Sequence, residues 1–218
     1  MTVSVDSFLP LVTSECPGIT NPRAKRAVIQ ACRDFCTRTY IWKEDHDDIT
    51  AVEDVPDYDL EPPTDAEVVD ILCMYHNEFE VTPKTIEQLN YENPNWRTFD
   101  GSQARHFVMN SPTNFSLYPY PDETVADAIT NIRVALRPTI SATTVGDVLY
   151  NDYYEAIANG ALAILLSLPK KPWTNRTRAA ECQSEFEHQV SRAKVRAKKE
   201  FSRADIDARQ ALRRFGGP

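Results

Sequence analysis

Apolar residues along the chain follow two periods, and the switch between them separates a helical frame from a middle section of strands. Residues 6–14, DSFLPLVTS, read as a short helix behind an Asp cap, broken by CPGITNP. Asn21 and Pro22 supply a cap and a first-turn proline, and the helix they start is expected to run to about Trp42. Its apolar face is Ala24, Ala27, Val28, Ala31, Cys32, Phe35, Thr39 and Trp42, at three- and four-residue spacing.

Beyond this helix the period shortens. Residues 49–55 and 67–76 (EVVDILCMYH) predict strands, and 104–109 with 114–118 predict a hairpin around Ser111-Pro112. The segment TPKTIEQLNYENPNW, with a Thr cap and a proline start, reads as a short helix closed by Asn-Pro. In ITNIRVAL (129–136), Ile132, Val134 and Leu136 fall on one face, and Arg133 and Ala135 on the other.

Two helices close the sequence. The first runs from about Asp147 to Leu168, with a stripe of Leu149, Tyr153, Ile157, Gly160, Ala161, Ile164 and Leu168. Glycine inside a helix costs about 1 kcal/mol against alanine, so Gly160 is expected to mark a close helix crossing. Pro169 and Pro172 end this helix, and Thr174 or Asn175 caps the next. The second stripe is Ala179, Cys182, Phe186, Val190, Ala193, Ala197, Phe201, Ala204, Ala208 and Leu212, and it can extend to Phe215. At about 1.5 Å per residue such a helix spans roughly 60 Å, so its last third is expected to project. The fold class predicted is α+β: a helical bundle of the N-terminal and two C-terminal helices, a β-rich insertion and an extended C-terminal helix. The boundaries expected are 1–45 with 146–203 for the bundle, 46–145 for the insertion and 204–218 for a projecting tail.

Charge changes this picture by polarising it. The net charge of −8 is the sum of +7 from Lys170 onward and −15 before it, and no Lys or Arg occurs from Glu44 to Pro83. Such a chain can associate head to tail through unlike surfaces, or present its ends to different partners. Hydrophobic residues make up 42%, an ordinary globular composition. The longest nearly apolar run, Ala161 to Leu168, is far short of the roughly 20 residues needed to cross a bilayer. The N-terminus MTVSVDSFLPLV has no basic n-region or small-residue cleavage site, so no secretion signal and no membrane association are expected. The odd, widely spaced set Cys16, Cys32, Cys36, Cys73 and Cys182 predicts free thiols in a reducing cytoplasm.

Candidate chemistry is sparse. Cys32, Cys36, Cys73 and His76 are soft ligands, but a zinc site needs all four to converge, and Cys73 and His76 face opposite sides of one strand. Buried small hydrophobes explain the cysteines better. His46, His76, His106 and His188 are scattered, and neither a Walker loop nor HExxH occurs. Asp45, Asp47 and Asp48 lack the glycine and distal Glu of an EF-hand. No catalytic constellation, metal or cofactor is predicted. The basic run Arg192, Lys194, Arg196, Lys198, Lys199 and Arg203 fits a solvated face, an acidic protein partner or nucleic-acid phosphates, and Glu200, Asp205 and Asp207 dilute it. The alternative function it suggests is a nucleic-acid-binding regulator. Trp96, Phe99, Phe115, Tyr118 and Tyr120 form an aromatic group suited to an interface or to strand and turn core.

The segments FLPLVTSECPG, AVIQACRDFCTRTYIWKED, TIEQLNYENPNW, NFSLYPYP and IRVALRPT resemble, in order, the head-to-tail adaptor proteins of tailed bacteriophages. So does DYYEAIANGALAILLSLPKKPWTN followed by EFEHQVSRAKVRA: a Tyr- and Ala-rich helix, a Pro-Trp corner, then a Phe-bearing helix. The family includes proteins termed connector, gatekeeper or tail tubular protein A. The resemblance implies a non-enzymatic virion subunit at the head–tail junction. It would form a ring, usually of twelve copies, beneath the portal, join it to the tail or nozzle protein, and extend a channel through which double-stranded DNA passes without specific recognition. It implies portal docking by the C-terminal segment, with Arg203, Arg209, Leu212, Arg213, Arg214 and Phe215 as candidates, and a tail-facing surface at Trp96, Phe99, Tyr118 and Tyr120.

Overall fold

The computed structural model describes residues 1–122 and 128–199. The protein is mixed α+β, and five α-helices occur among the described residues: α1 (Leu9–Glu15), α2 (Asn21–Thr39), α3 (Ile86–Glu92), α4 (Asp147–Leu166) and α5 (Arg176–Lys199). The chain divides into two compact units, Met1–Ile41 with the chain from Thr143 onward, and Trp42–Ala142.

In the first unit, strand Thr2–Ser4 pairs antiparallel with Thr144–Gly146 and joins the start of the chain to the residues that open α4. The predicted single helix over 6–14 is two elements, a 3-10 turn at Val5–Phe8 and then α1. Its cap is Ser4, whose hydroxyl accepts the Asp6 N–H at 3.2 Å. The Asp6 carboxylate instead pairs with Lys25 on α2 at 2.7 Å. Helix α2 ends earlier than the apolar pattern suggests. Tyr40 takes a left-handed conformation at φ 53° and its N–H closes on the Cys36 carbonyl, which stops the helix before Trp42.

Helices α2, α4 and α5 pack on one another through the stripes the sequence displays. Ala24, Ala27, Val28, Ala31, Cys32 and Phe35 are buried on α2, and Ala179, Cys182, Phe186, Val190, Ala193 and Ala197 on α5. Burial on α4 is broader than the predicted stripe and includes Ala158, Leu162 and Leu165, because α1, α2 and α5 all pack on this helix, whereas Ile164 is half-buried and the helix ends at Leu166, short of the expected Leu168. The crossing expected at Gly160 is present: an added Cβ would stand 2.8 Å from two ring carbons of Phe186 and 3.1 Å from the Ala31 Cβ. Helix α5 starts where Asn175 Oδ1 accepts the Arg178 N–H at 3.1 Å, so Asn175 is the cap. The continuation proposed through Phe201, Ala204, Ala208 and Leu212 lies outside the described residues.

Three ion pairs tie α5 to its neighbours at successive heights. Arg178 grips Glu15 at 2.9 and 3.1 Å, Arg38 holds Glu187 through both guanidinium nitrogens, and Arg196 meets Asp152 at 3.1 Å. All are partly exposed, so each adds at most about 1 kcal/mol and serves more to set register.

The second unit is built on two long antiparallel strands, Ala66–His76 and Ala128–Pro138. The sheet orders Lys43–His46, Ala128–Pro138, Ala66–His76 and Phe79–Glu80, with Ile49–Thr50 also on Ala128–Pro138. Register shifts along the central pair let Ala135 be buried beside Val134 and Leu136, against the strict alternation expected there. The hairpin after His76 was not expected from its residues. It turns at Asn77 and Glu78, both at positive φ (52° and 66°), the geometry of a two-residue hairpin loop.

A second sheet orders Asp57–Asp59, Asn114–Tyr118, His106–Ser111 and Thr82–Pro83. The hairpin at Pro112-Thr113 matches the prediction. The strand expected over 49–55 is only two residues long, because Val52–Val55 forms a turn. Helix α3 is capped not by Thr82 but by Thr85, whose hydroxyl accepts the Gln88 N–H at 3.2 Å while Gln88 Oε1 accepts the Thr85 N–H at 2.9 Å. Thr82 and Pro83 are strand residues paired in parallel with His106 and Phe107.

Candidate interaction surface

The aromatic residues singled out in the sequence converge in the second unit but differ in exposure. Trp96 is 6% exposed and packs with Leu89 and Val108. Its Nε1–H donates to Asn90 Oδ1 at 2.8 Å, and the Arg97 guanidinium lies 4.6 Å from the ring centroid. Tyr118 sits at the centre of the group, with its ring 6.2 Å from Trp96, 5.9 Å from Phe99 and 6.2 Å from His106. Its hydroxyl accepts from Asn93 Nδ2 at 3.2 Å. The Tyr120 hydroxyl donates to the Thr98 carbonyl at 3.4 Å. Phe115 is fully buried against Tyr58 and Phe107. Of these five only Phe99 is exposed, at 48%. Tyr91 on α3, at 92%, is the most exposed aromatic described, and the sequence pattern gave no reason to choose it.

The proposed docking residues Arg203, Arg209, Leu212, Arg213, Arg214 and Phe215 lie outside the described residues. Of the basic run before them, Arg196 is engaged by Asp152 and lies 5.9 Å from the Tyr153 ring. Arg192, Lys194 and Lys198 are exposed on α5, and Arg192 lies close enough to Tyr153 for its charge to act on the phenol.

The soft ligands do not converge. Cys32 and Cys36 are buried in α2, and Cys73 and His76 belong to the other unit. Burial holds the Cys32 thiol well above its ordinary range, which disfavours the thiolate a metal needs. His76 is fully buried, and its Nδ1 accepts the Ala104 N–H at 3.0 Å, so the ring orders the chain before the His106 strand. Among the described residues no group of three or more His, Cys, Asp or Glu is placed to hold a metal ion. The His46 ring bridges the Asp47 carbonyl and the Glu61 N–H, at 2.7 and 3.0 Å, and His106 meets Thr82 Oγ1 at 2.7 Å. His188 stands 4.0 Å from Glu185 on the outside of α5. Each histidine thus has a local structural role or an exposed position.

A family model described as SU10 adaptor protein matches residues 10–213, across both units. The chain belongs to the SU10 adaptor protein family. No curated protein matches the chain. This is a family of phage head–tail adaptors, and the resemblance read from the sequence motifs agrees with it. The adaptor is a structural component of the bacteriophage virion, belongs at the head–tail junction, and associates there with other virion proteins such as portal and tail. The family is structural rather than enzymatic. No described helix of this adaptor is long and apolar enough to cross a membrane.

Proposed function

We propose that this adaptor forms a ring, of about twelve copies, directly beneath the portal, joining it to the tail or nozzle protein and continuing the channel for double-stranded DNA. The observation that carries this reading is the family match over residues 10–213, which takes in both compact units and most of the basic C-terminal segment. The packed helices of the first unit are the body of the ring. The β-rich unit faces the tail, with Phe99, Tyr118 and Tyr120 nearest its contact surface and Trp96 supporting them from within. The segment carrying Arg203, Arg209, Leu212, Arg213, Arg214 and Phe215 docks on the portal. DNA passes through the channel without sequence readout.

The test is to mix the purified chain with the portal protein of the same genome and image the product by electron microscopy. A stable co-complex with a ring stacked on the portal is expected. Failure to bind that portal refutes the reading. Deleting residues from Ala204 onward should leave the described helices folded by circular dichroism and weaken attachment to the portal. If the truncated chain melts or aggregates by itself, that segment belongs to the core.

A further inference from the structure

The outward face of α5 carries one large apolar side chain that nothing described covers. Val195 is 53% exposed and lies opposite the buried positions Ala193 and Ala197. Side chains three and four residues away are its neighbours on a helix surface, and these are Ser191, Arg192, Lys198 and Lys199. Arg192 and Lys198 make no ion pair with any described carboxylate. The face is thus an apolar spot flanked by the cations Arg192 and Lys198.

Its complement is on the other unit. Val52–Val55 is a turn closed by the Val55 N–H on the Val52 carbonyl at 3.2 Å, with Asp54 at φ 59°, a left-handed conformation Asp tolerates. The turn is held in place. The Tyr58 hydroxyl lies 3.1 Å from the Val52 N and 3.4 Å from its carbonyl oxygen, and the Asp54 N–H donates to the Pro121 carbonyl at 3.0 Å. It therefore presents Glu53 and Asp54 on a pre-ordered tip, with Val52 and Val55 exposed at 49% and 37% on either side. Neither carboxylate has an ion-pair partner among the described residues. Both belong to the stretch from Glu44 to Pro83 that contains no Lys or Arg.

We propose that the Val52–Val55 turn of one copy seats on the α5 face around Val195 of a neighbouring copy, with Glu53 and Asp54 meeting Arg192 and Lys198. The valines exclude water from the contact and the charges orient it. The surfaces are unlike, so the contact is heterologous, the class of contact from which cyclic rings are built. This inference rests on the reading of the chain as a ring subunit and assigns that ring one of its contacts.

The test uses the full chain in four forms: wild type, Glu53→Lys/Asp54→Asn, Arg192→Glu/Lys198→Glu, and the two sets combined. Asn at position 54 removes charge while tolerating positive φ. Sedimentation velocity at low and high salt reads association, and thermal melts confirm folding. Carbodiimide coupling of a mixture of unlabelled and nitrogen-15 chains identifies intermolecular carboxylate–lysine links. Wild type should associate at low salt, dissociate as salt screens the pairs, and give mixed-isotope links from Glu53 or Asp54 to Lys198. Either set of substitutions alone should weaken association by about tenfold or more. The combined chain, or a mixture of the two singly reversed chains, should restore it. Arg192→Lys/Lys198→Arg, which keeps the charges, should behave as wild type. A wild-type chain that stays monomeric at low salt, links found only within single chains, or folded reversal variants that associate normally would each overturn the contact. If those variants still form a ring on the portal, the inference fails and the adaptor reading stands. If the chain associates as described but binds no portal, the contact stands and the portal reading fails.

Discussion

Replacing Gly160 by alanine sets two known effects against each other, and the geometry decides their sum. Helix propensity alone favours alanine by about 1 kcal/mol. The added Cβ, however, would stand 2.8 Å from Phe186 Cδ2 and Cε2 and 3.1 Å from the Ala31 Cβ, where ordinary contact begins at 3.4 Å. The Phe186 ring must withdraw by about 0.6 Å, and it is only 2% exposed. Behind it the fully buried Phe35 ring is centred 5.9 Å away, itself 4.9 Å from Tyr153. Overpacking of this kind costs about 1–3 kcal/mol, so Gly160→Ala should destabilise by about 1 kcal/mol net. Gly160→Val, with two further methyls in the same crossing, should cost about 3 kcal/mol. The assay is urea denaturation followed by helical circular dichroism, as a double-mutant cycle with Phe186→Leu. Once the ring is shortened, alanine at 160 should recover its propensity advantage, giving a coupling of about 2 kcal/mol. A Gly160→Ala protein more stable than wild type, or a coupling near zero, would refute the claim that this glycine exists to bring α4 onto α5 and α2.

Three further outcomes follow from local structure. Thr85→Ala removes a capping box and should destabilise α3 by about 1 kcal/mol, visible as faster amide exchange across Ile86–Glu92; unchanged exchange would contradict the assignment. Acid should act in two stages. Burial, aided by Lys84, holds His106 below its ordinary 6.5, so the unfolded state binds the extra proton and stability of the β-rich unit falls as pH drops through that value. Hydrogen bonds from Arg178 and Arg38 hold Glu15 and Glu187 below 4.5, so their stabilisation is present above that value and is lost as pH falls through the depressed folded values. Thermal melts from pH 7 to 3 should show the first loss before the second, and His106→Gln should reduce the first. Cys73, half-exposed, should react with a thiol reagent well before Cys32, whose thiol burial pushes far up; equal rates in the native protein would show that α2 opens readily.

The sequence alone determined the elements whose signal is local and repeated. The stripes of α2 and α5, the long strands Ala66–His76 and Ala128–Pro138, and the hairpin at Pro112-Thr113 were legible because periodic burial of one face leaves a periodic pattern. Gly160 was legible because a helix tolerates glycine at such cost only for a reason of packing. The order of loose motifs pointed to the family that the match over residues 10–213 shows. Tertiary structure decided the rest. Tyr40 ends α2 with a left-handed residue that carries no compositional mark, and Asn77-Glu78 turns a hairpin without glycine. Thr85 displaced Thr82 as a cap because Thr82 and Pro83 join the His106 strand, a pairing more than 20 residues away in sequence. The sequence did not separate Arg192, Arg196 and Lys198 by role. Only the fold showed Arg196 engaged by Asp152 while Arg192 and Lys198 surround an exposed valine, because a salt bridge depends on which helix lies alongside, and that is set by packing.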